Sequence, residues 1–247
     1  MRISVLTLFP DSLSSILDAS ILGRARAAGV VRVDAVDMRA FSTNKHRTVD
    51  DTPCGGGAGM ILRVDVVAGA LRSLGRPHTV LVDARGRPFT QADGRRYAQL
   101  EHLAIVCGRY EGVDARAEAL VDEVVSLGDF VLTGGEVAAL AIVDAVVRLL
   151  PGALGNEESS AHESHGADGL LEHRQYTRPI DFEGARVPDV LLAGNHKDIE
   201  RARRKDALVV TARRRPDIFV RARLTKADDA LLDDERVPTL APTRGPA

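Results

Sequence analysis

Five short runs of Val, Ile and Leu recur along the first half of the chain, at residues 3–9 (ISVLTLF), 30–36 (VVRVDAV), 79–84 (TVLVDA), 103–108 (LAIVCG) and 123–128 (EVVSLG). Their length and their polar flanks predict buried strands. Between most of them the apolar positions recur with helical spacing. One face carries Leu13, Ile16, Leu17, Ile21 and Leu22, and further helices are predicted over residues 64–74 and 90–100. Strands alternating with helices predict an α/β fold, a parallel sheet with helices on both faces. Ligands of such sheets sit beyond the carboxyl ends of the strands. Three loops meet that description: DARG at 83–86, CGRYEG at 107–112 and LGDFVLTGGE at 127–136.

The last of these loops joins a strand to the nearly uncharged VAALAIVDAVVRLL through Gly134, Gly135 and a lone acid, Glu136. A glycine pair there is either a simple helix start or a place where main chain must approach something closely. With the glycines of the other two loops, it suits a ligand recognised by main-chain contacts and shape.

From Leu154 to Gly169 the apolar pattern stops in polar, turn-prone LGNEESSAHESHGADG, and a shorter helical pattern follows. The expected organisation is an α/β domain over 1–155, a flexible connector over 156–169 and a small helical domain over 170–225. Residues 226–247 carry Asp228, Asp229, Asp233, Asp234 and Glu235 and end in Pro, Thr and Gly, which predicts a disordered acidic tail.

The 247 residues are 45% hydrophobic, enough for a full core, and the formal charge of -2 excludes a uniformly basic coat. The average conceals a local excess, because residues 197–226 hold eleven Lys or Arg against four acids. Such a concentration is what contact with a polyanion requires, although a charge run is also an ordinary solvated face. The opening residues lack a signal-peptide pattern and no run is long enough to span a membrane, so a cytoplasmic protein with no membrane partner is expected. Cys54 and Cys107 stand far apart, which suggests neither a disulfide framework nor a zinc site. His162 and His165 in HESH lie three apart in a loop, not four apart on a helix, and no metal ligand is assigned. GxxxxGK[ST] is absent, and the first strand runs into PDS, not GxGxxG.

Taken in order, MRISVLTLFP, HRTVDDTPCGGGAGM, CGRYEGVD, LGDFVLTGGE, VVRLLPG, YTRP and LLAGNHKDI resemble the bacterial tRNA (guanine-N1)-methyltransferases, the TrmD type of the SPOUT superfamily, over residues 1 to about 223. The resemblance implies a deep trefoil knot closing the C-terminal part of the sheet domain, S-adenosylmethionine held in that knot, and an obligate homodimer. It implies methylation of N1 of the guanosine just 3′ of the anticodon in tRNA. The cofactor would lie against Gly108, Tyr110 and Glu111 on one loop and Leu127, Gly128, Phe130, Leu132, Gly134 and Gly135 on the other. Gly86 is added from the DARG loop, where Asp83-Ala84-Arg85 departs from the Ser-Pro-Gln more usual in relatives.

Removing the N1 proton of guanine needs a base, and charge moving onto O6 needs a cation or donor. The motifs carry the cation over to Arg148 in VVRLLPG. They carry the base over to Glu163 of a Glu163-Ser164 pair, where relatives have Asp-Ser and one residue fewer before Gly169. Asp168 is the alternative base. The expected dimer takes the knot from one subunit and Glu163 from the other, and relatives' use of Mg2+ suits a carboxylate-lined site. For tRNA, the expected contacts are His46, Arg47, Asp50 and Asp51 around the target base, and Arg201, Arg203, Arg204, Lys205, Arg213, Arg214 and Arg215 along the backbone. A salt-bridged loop anchor is the competing reading of HRTVDD. A knotted methyltransferase acting on another atom or RNA, and a tRNA-binding protein without transfer, remain open readings of the residues.

Overall fold

The computed structural model describes residues 1–155 and 163–244, which fall into two compact units, Met1–Gly155 and Asn156–Ala247. The first unit contains, in order, β1 (Arg2–Thr7), α1 (Asp11–Leu17), α2 (Ser20–Ala27), β2 (Arg32–Asp37), β3 (Asp50–Asp51), β4 (Ile61–Leu62), α3 (Val64–Ser73), β5 (His78–Pro88), α4 (Gln91–Tyr97), β6 (His102–Cys107), β7 (Glu123–Ser126) and α5 (Glu136–Val147). The five apolar runs become one parallel sheet in the order β2-β1-β6-β5-β7. Successive strand residues face opposite sides. Ile3, Val5, Val80, Val82, Leu103 and Ile105 therefore pack with α1, α2 and α5, while Leu6, Leu81, Ala104 and Val106 pack with α3.

Two predicted elements differ. The expected single helix over Leu13–Leu22 is two helices, because the chain turns at Asp18–Ala19 and Ser20 adopts a positive φ of 51°. Gly23 permits the junction, since a Cβ there would lie 2.2 Å from the Asp18 carbonyl oxygen. Ile16 consequently leaves the buried face and is half exposed. The strand expected at 79–84 runs on to Pro88. Val82 and Arg87 both pair with Val125, so residues 83–86 bulge out of the ladder and return to it.

α5 leaves edge strand β7 by way of residues 127–135 and packs against β1, β6, α1 and α2 at the middle of the sheet. The chain thus crosses the carboxyl ends of β5 and β6 to reach its helix. No helix of the described residues is long and apolar enough to cross a membrane.

The second unit holds β8 (Asp181–Phe182), β9 (Ala185–Arg186), α6 (Asp189–Leu192), α7 (His196–Arg214), α8 (Pro216–Phe219), α9 (Lys226–Asp233) and β10 (Thr243–Arg244). β10 pairs with β9, which pairs with β8, all antiparallel. Of the acidic tail expected to be disordered, the described residues 226–244 are folded here. Its α9 opens with a Thr225–Asp228 capping box and packs on α7, and Leu240 is fully buried. The reason is complementary charge joined to apolar burial: Arg201 pairs with Asp234 at 3.0 Å, and Val237 and Leu240 join Ala202 in a small core. The connector expected to be flexible lies partly outside the described residues, at 156–162. Its remainder is hydrogen-bonded, with His165 N donating to Leu170 O at 2.8 Å and Glu172 N to Ser164 Oγ at 2.9 Å.

On the edge of the first unit, Glu123 accepts from Arg96 at 2.6 and 2.8 Å, from Arg87, and meets His78 Nε2 at 2.7 Å. The Arg96 hydrogen bonds outweigh burial, and Arg87 and His78 add to them, holding the Glu123 carboxyl at about 2. A depressed carboxylate contributes stability that is complete above its unfolded value and disappears as pH falls through its folded one. Glu123→Gln is expected to cost about 1–2 kcal/mol in urea unfolding near pH 7, a figure discounted for solvent screening. The difference between the two proteins should close as pH falls from about 4.5 toward about 2.

Candidate active site

Loops 108–112 and 127–135 meet over the carboxyl edge of the sheet and enclose, with Val82, Asp83 and Ala84, an open cleft of about 160 Å³. Nine residues expected at the ligand line it: Gly108, Tyr110, Glu111, Leu127, Gly128, Phe130, Leu132, Gly134 and Gly135. Gly86 does not. A Cβ on Gly86 would lie 2.5 Å from the Val125 carbonyl carbon, so this glycine permits strand contact across the bulge, and Asp83 and Ala84 reach the cleft instead.

The glycine pair is needed for space, not for unusual dihedrals. Gly135 has φ of -76°, yet a Cβ on it would sit 2.7 Å from Cys107 Cα. A Cβ on Gly134 would sit 2.2 Å from Arg109 Nε. Gly135 N donates to Gly108 O at 2.9 Å, and Arg109 and Gly134 form an antiparallel bridge. The two loops are therefore joined main chain to main chain.

Glu136 completes that junction. It is 5% exposed and accepts from Thr7 Oγ1 of β1 at 2.6 Å. Its Oε2 is 2.9 Å from Arg109 Nε, whose N–H is not aligned with it, so close-range charge rather than a directed hydrogen bond holds the pair. Arg109 also lies 4.5 Å over the Phe9 ring and donates to Thr133 O at 3.3 Å. One buried acid thus ties β1 to both cleft loops. Thr7, Phe9 and Arg109 were not among the candidates from sequence; the signal available was the unexplained Glu136. Burial, reinforced by the Glu136 charge, pushes the Cys107 thiol well up, so it packs as a neutral group.

Tyr110 takes a positive φ of 61°, and its loop is fixed by Glu111 N donating to Met60 O at 3.0 Å and Leu62 N to Gly112 O at 3.0 Å. These bonds connect the cleft to the 42–59 segment. Asp50 and Asp51 form β3, paired with Leu62 and Ile61 of β4, and Ile61 bridges to Tyr110. A Cβ on Gly59 would lie 2.4 Å from Glu111 Cγ, so CGGGAGM also reaches the site. His46 and Arg47 are exposed on a turn held by Asn44, which accepts from Thr48 N at 2.8 Å. These hydrogen bonds anchor the segment. Arg148 caps the end of α5, where a cation complements the helix dipole. Phe130, Val131, Leu132 and Val137 leave an exposed apolar rim around the cleft.

In the second unit, Glu163 and Asp168 line a groove with Glu172, Glu200, Arg203 and Arg204. The basic candidates divide by their partners. Arg201 pairs with Asp234, Arg204 with Asp168 and Asp228, and Arg215 with Asp217. Lys205 is buried and donates to Asp234 O at 2.8 Å. Arg203, Arg213 and Arg214 are exposed with no carboxylate partner among the described residues.

A family model described as tRNA (guanine-1)-methyltransferase TrmD matches residues 1–221. The chain is 52% identical over 238 residues to the tRNA (guanine-N(1)-)-methyltransferase of Anaeromyxobacter sp. (strain Fw109-5), covering 94% of this chain and 96% of the relative. A protein of the same name from Thermus thermophilus is 49% identical over 233 residues, with 94% and 97% covered. That from Pediococcus pentosaceus is 48% identical over 248 residues, with 97% and 100% covered.

The close approach at Gly135 makes a direct forecast. Gly135→Ala forces main chain apart at Cys107 and is expected to cost about 1–3 kcal/mol, lowering Tm by about 3–10 °C in thermal denaturation. Gly155→Ala, where a Cβ meets nothing within 4 Å, should leave Tm unchanged.

Proposed function

The chain belongs to the TrmD family of tRNA (guanine-1)-methyltransferases, and from that premise we propose that it methylates N1 of the guanosine immediately 3′ of the anticodon in tRNA. S-adenosylmethionine is the methyl donor of the family's reaction. The observation that carries the reading is the convergence of CGRYEG and LGDFVLTGGE on one cleft whose glycines leave room where side chains would intrude.

The cleft fits the donor by its chemistry. Leu127, Phe130 and Leu132 offer apolar surface, and the main chain of Gly108, Gly128, Gly134 and Gly135 offers hydrogen-bonding groups without bulk. Bound there, S-adenosylmethionine supplies an electrophilic methyl group on a sulfonium that leaves as a neutral thioether. The protein's part is to prepare the nucleophile. Glu163 takes the N1 proton, and Arg148 stabilises charge moving onto O6. Arg109, fixed by Glu136, keeps both loops in place while this happens.

The course of the chain from edge strand β7 through the 127–135 loop to α5 at the sheet centre supports the family's trefoil knot, a rare exception to the rule against threaded chains. The apolar rim of Phe130, Val131, Leu132 and Val137 supports a homodimer in which the knot of one subunit works with Glu163 of the other. The second unit serves as the tRNA-binding domain, with Arg203, Arg213 and Arg214 as its cations without a carboxylate partner among the described residues. His46 and Arg47 are the corresponding exposed groups near the cleft loops. Among the described residues no group of three or more His, Cys, Asp or Glu is gathered as a metal cage, so Mg2+ would bind with water and tRNA phosphates as additional ligands. A cytoplasmic site of action follows from the tRNA substrate.

Labelled methyl transfer to two tRNA transcripts, with guanosine or adenosine just 3′ of the anticodon, tests the activity; only the first should be labelled. Transfer to neither, or to another atom, overturns the reading. Glu163→Gln is expected to lower kcat by about 10²–10⁴-fold and Arg148→Met by about 10²–10³-fold. Near-normal turnover in Glu163→Gln with loss in Asp168→Asn would transfer the role of base to Asp168. Replacing Arg213, Arg214 and Arg215 with Ala should weaken tRNA binding and flatten its log–log salt dependence by about 1–2 units.

A further inference from the structure

The acidic helix α9 reaches the turn that carries Glu163 through a single guanidinium. Asp228, 4% exposed at the third position of α9, accepts from Thr225 N and Thr225 Oγ1 at 2.9 Å each. It also takes Arg204 Nε at 2.7 Å and Nη2 at 3.0 Å, a two-pronged pairing that fixes the plane of the guanidinium. The remaining nitrogen, Nη1, donates to Asp168 Oδ2. One arginine on α7 therefore bridges two carboxylates sixty residues apart in sequence.

Asp168 is held from two further directions. Its Oδ1 accepts from Leu170 N at 3.2 Å, and its carbonyl accepts from Arg223 N at 2.9 Å. From there the turn runs back to Glu163. Gly169 N donates to Gly166 O at 3.1 Å, and Gly166 N donates to Glu163 O at 3.1 Å. His165 adopts a positive φ of 64°, a conformation that persists only where its surroundings impose it.

From this geometry we infer that Asp228, Arg204 and Asp168 form a latch that positions the Glu163 turn for methyl transfer, making the acidic C-terminal helix a working part of the enzyme. The inference rests on Glu163 as the base and assigns Asp168 a positioning role. Burial alone would raise the Asp168 carboxyl, but the Arg204 hydrogen bond and charge outweigh it and hold it below the usual range, an environment that opposes proton uptake. Arg204 likewise holds Asp228 down at about 2.

The test compares Asp228→Asn, Arg204→Gln and Asp168→Asn in the full chain. Asp228→Asn keeps a capping oxygen, so it remains informative if Arg204→Gln fails to fold. Each variant should lower kcat about 5–30-fold, as expected of a base displaced by less than about 1 Å, with KM for S-adenosylmethionine within about twofold. Amide exchange over residues 165–172 should speed up about tenfold, and Asp228→Asn combined with Arg204→Gln should be no worse than either alone. Arg204→Lys should not rescue kcat, since an ammonium cannot reproduce the fork. Unchanged kcat and unchanged exchange in Asp228→Asn would overturn the latch. So would a loss of about a thousandfold confined to Asp168→Asn, which would mark that residue as the base. If the unaltered protein transferred no methyl group, the enzymatic reading would fall, while the exchange rates would still show whether the three residues hold the turn.

Discussion

At 2.9 Å the Gly135 amide meets the Gly108 carbonyl, leaving no room for a Cβ between Gly135 and the main chain of Cys107. This contact fixes where the chain goes after the last strand of the sheet. With loop 127–135 pinned across the end of β6, α5 begins over the middle of the sheet, and its apolar residues complete the core beneath it. The same contact gives the cleft its back wall. Fold and site therefore share one steric requirement, and a side chain at Gly135 would disturb both.

A buried carboxylate secures each unit, and in each its partners are distant in sequence. Glu136 draws together Thr7 and Arg109 around the cleft. Asp206, fully buried, accepts from Arg174 N at 2.8 Å and Leu240 N at 2.9 Å, joining α7 to the segments that flank it. Isolated buried charges are costly, so these acids are tolerable only where the tertiary fold delivers their partners. They select one arrangement of loops that apolar packing alone would leave free.

The proposed chemistry divides along the same lines. The first unit presents a glycine-rich cleft suited to a donor recognised by shape, together with Arg148. The second presents Glu163 and the cations suited to a polyanion. In the proposed latch, Asp228, Arg204 and Asp168 hold the turn that carries Glu163.

Much of the first unit is legible in the sequence because its strands are local apolar runs and its helices have local periodicity. The three loops at the carboxyl edge follow from strand order in any such sheet, and the motifs CGRYEG and LGDFVLTGGE identify nine cleft residues. Less local features are not legible. The break before Ser20 depends on the contact of Gly23 with Asp18, and the place of Gly86 depends on Val125 across a bulge. The clearest case is the charge pattern. Read linearly, residues 197–226 are a cationic patch and residues 228–235 a loose anionic tail. In three dimensions Arg201, Arg204 and Lys205 meet the carboxylates or carbonyls of that tail, and among the described residues Arg203, Arg213 and Arg214 are left without a carboxylate partner. Sequence by itself determined which residues are charged and which segments bury apolar surface, because those are properties of the side chains. Tertiary structure alone decided which charges neutralise one another, because pairing depends on distance in space and is largely screened beyond about 10 Å in salt solution.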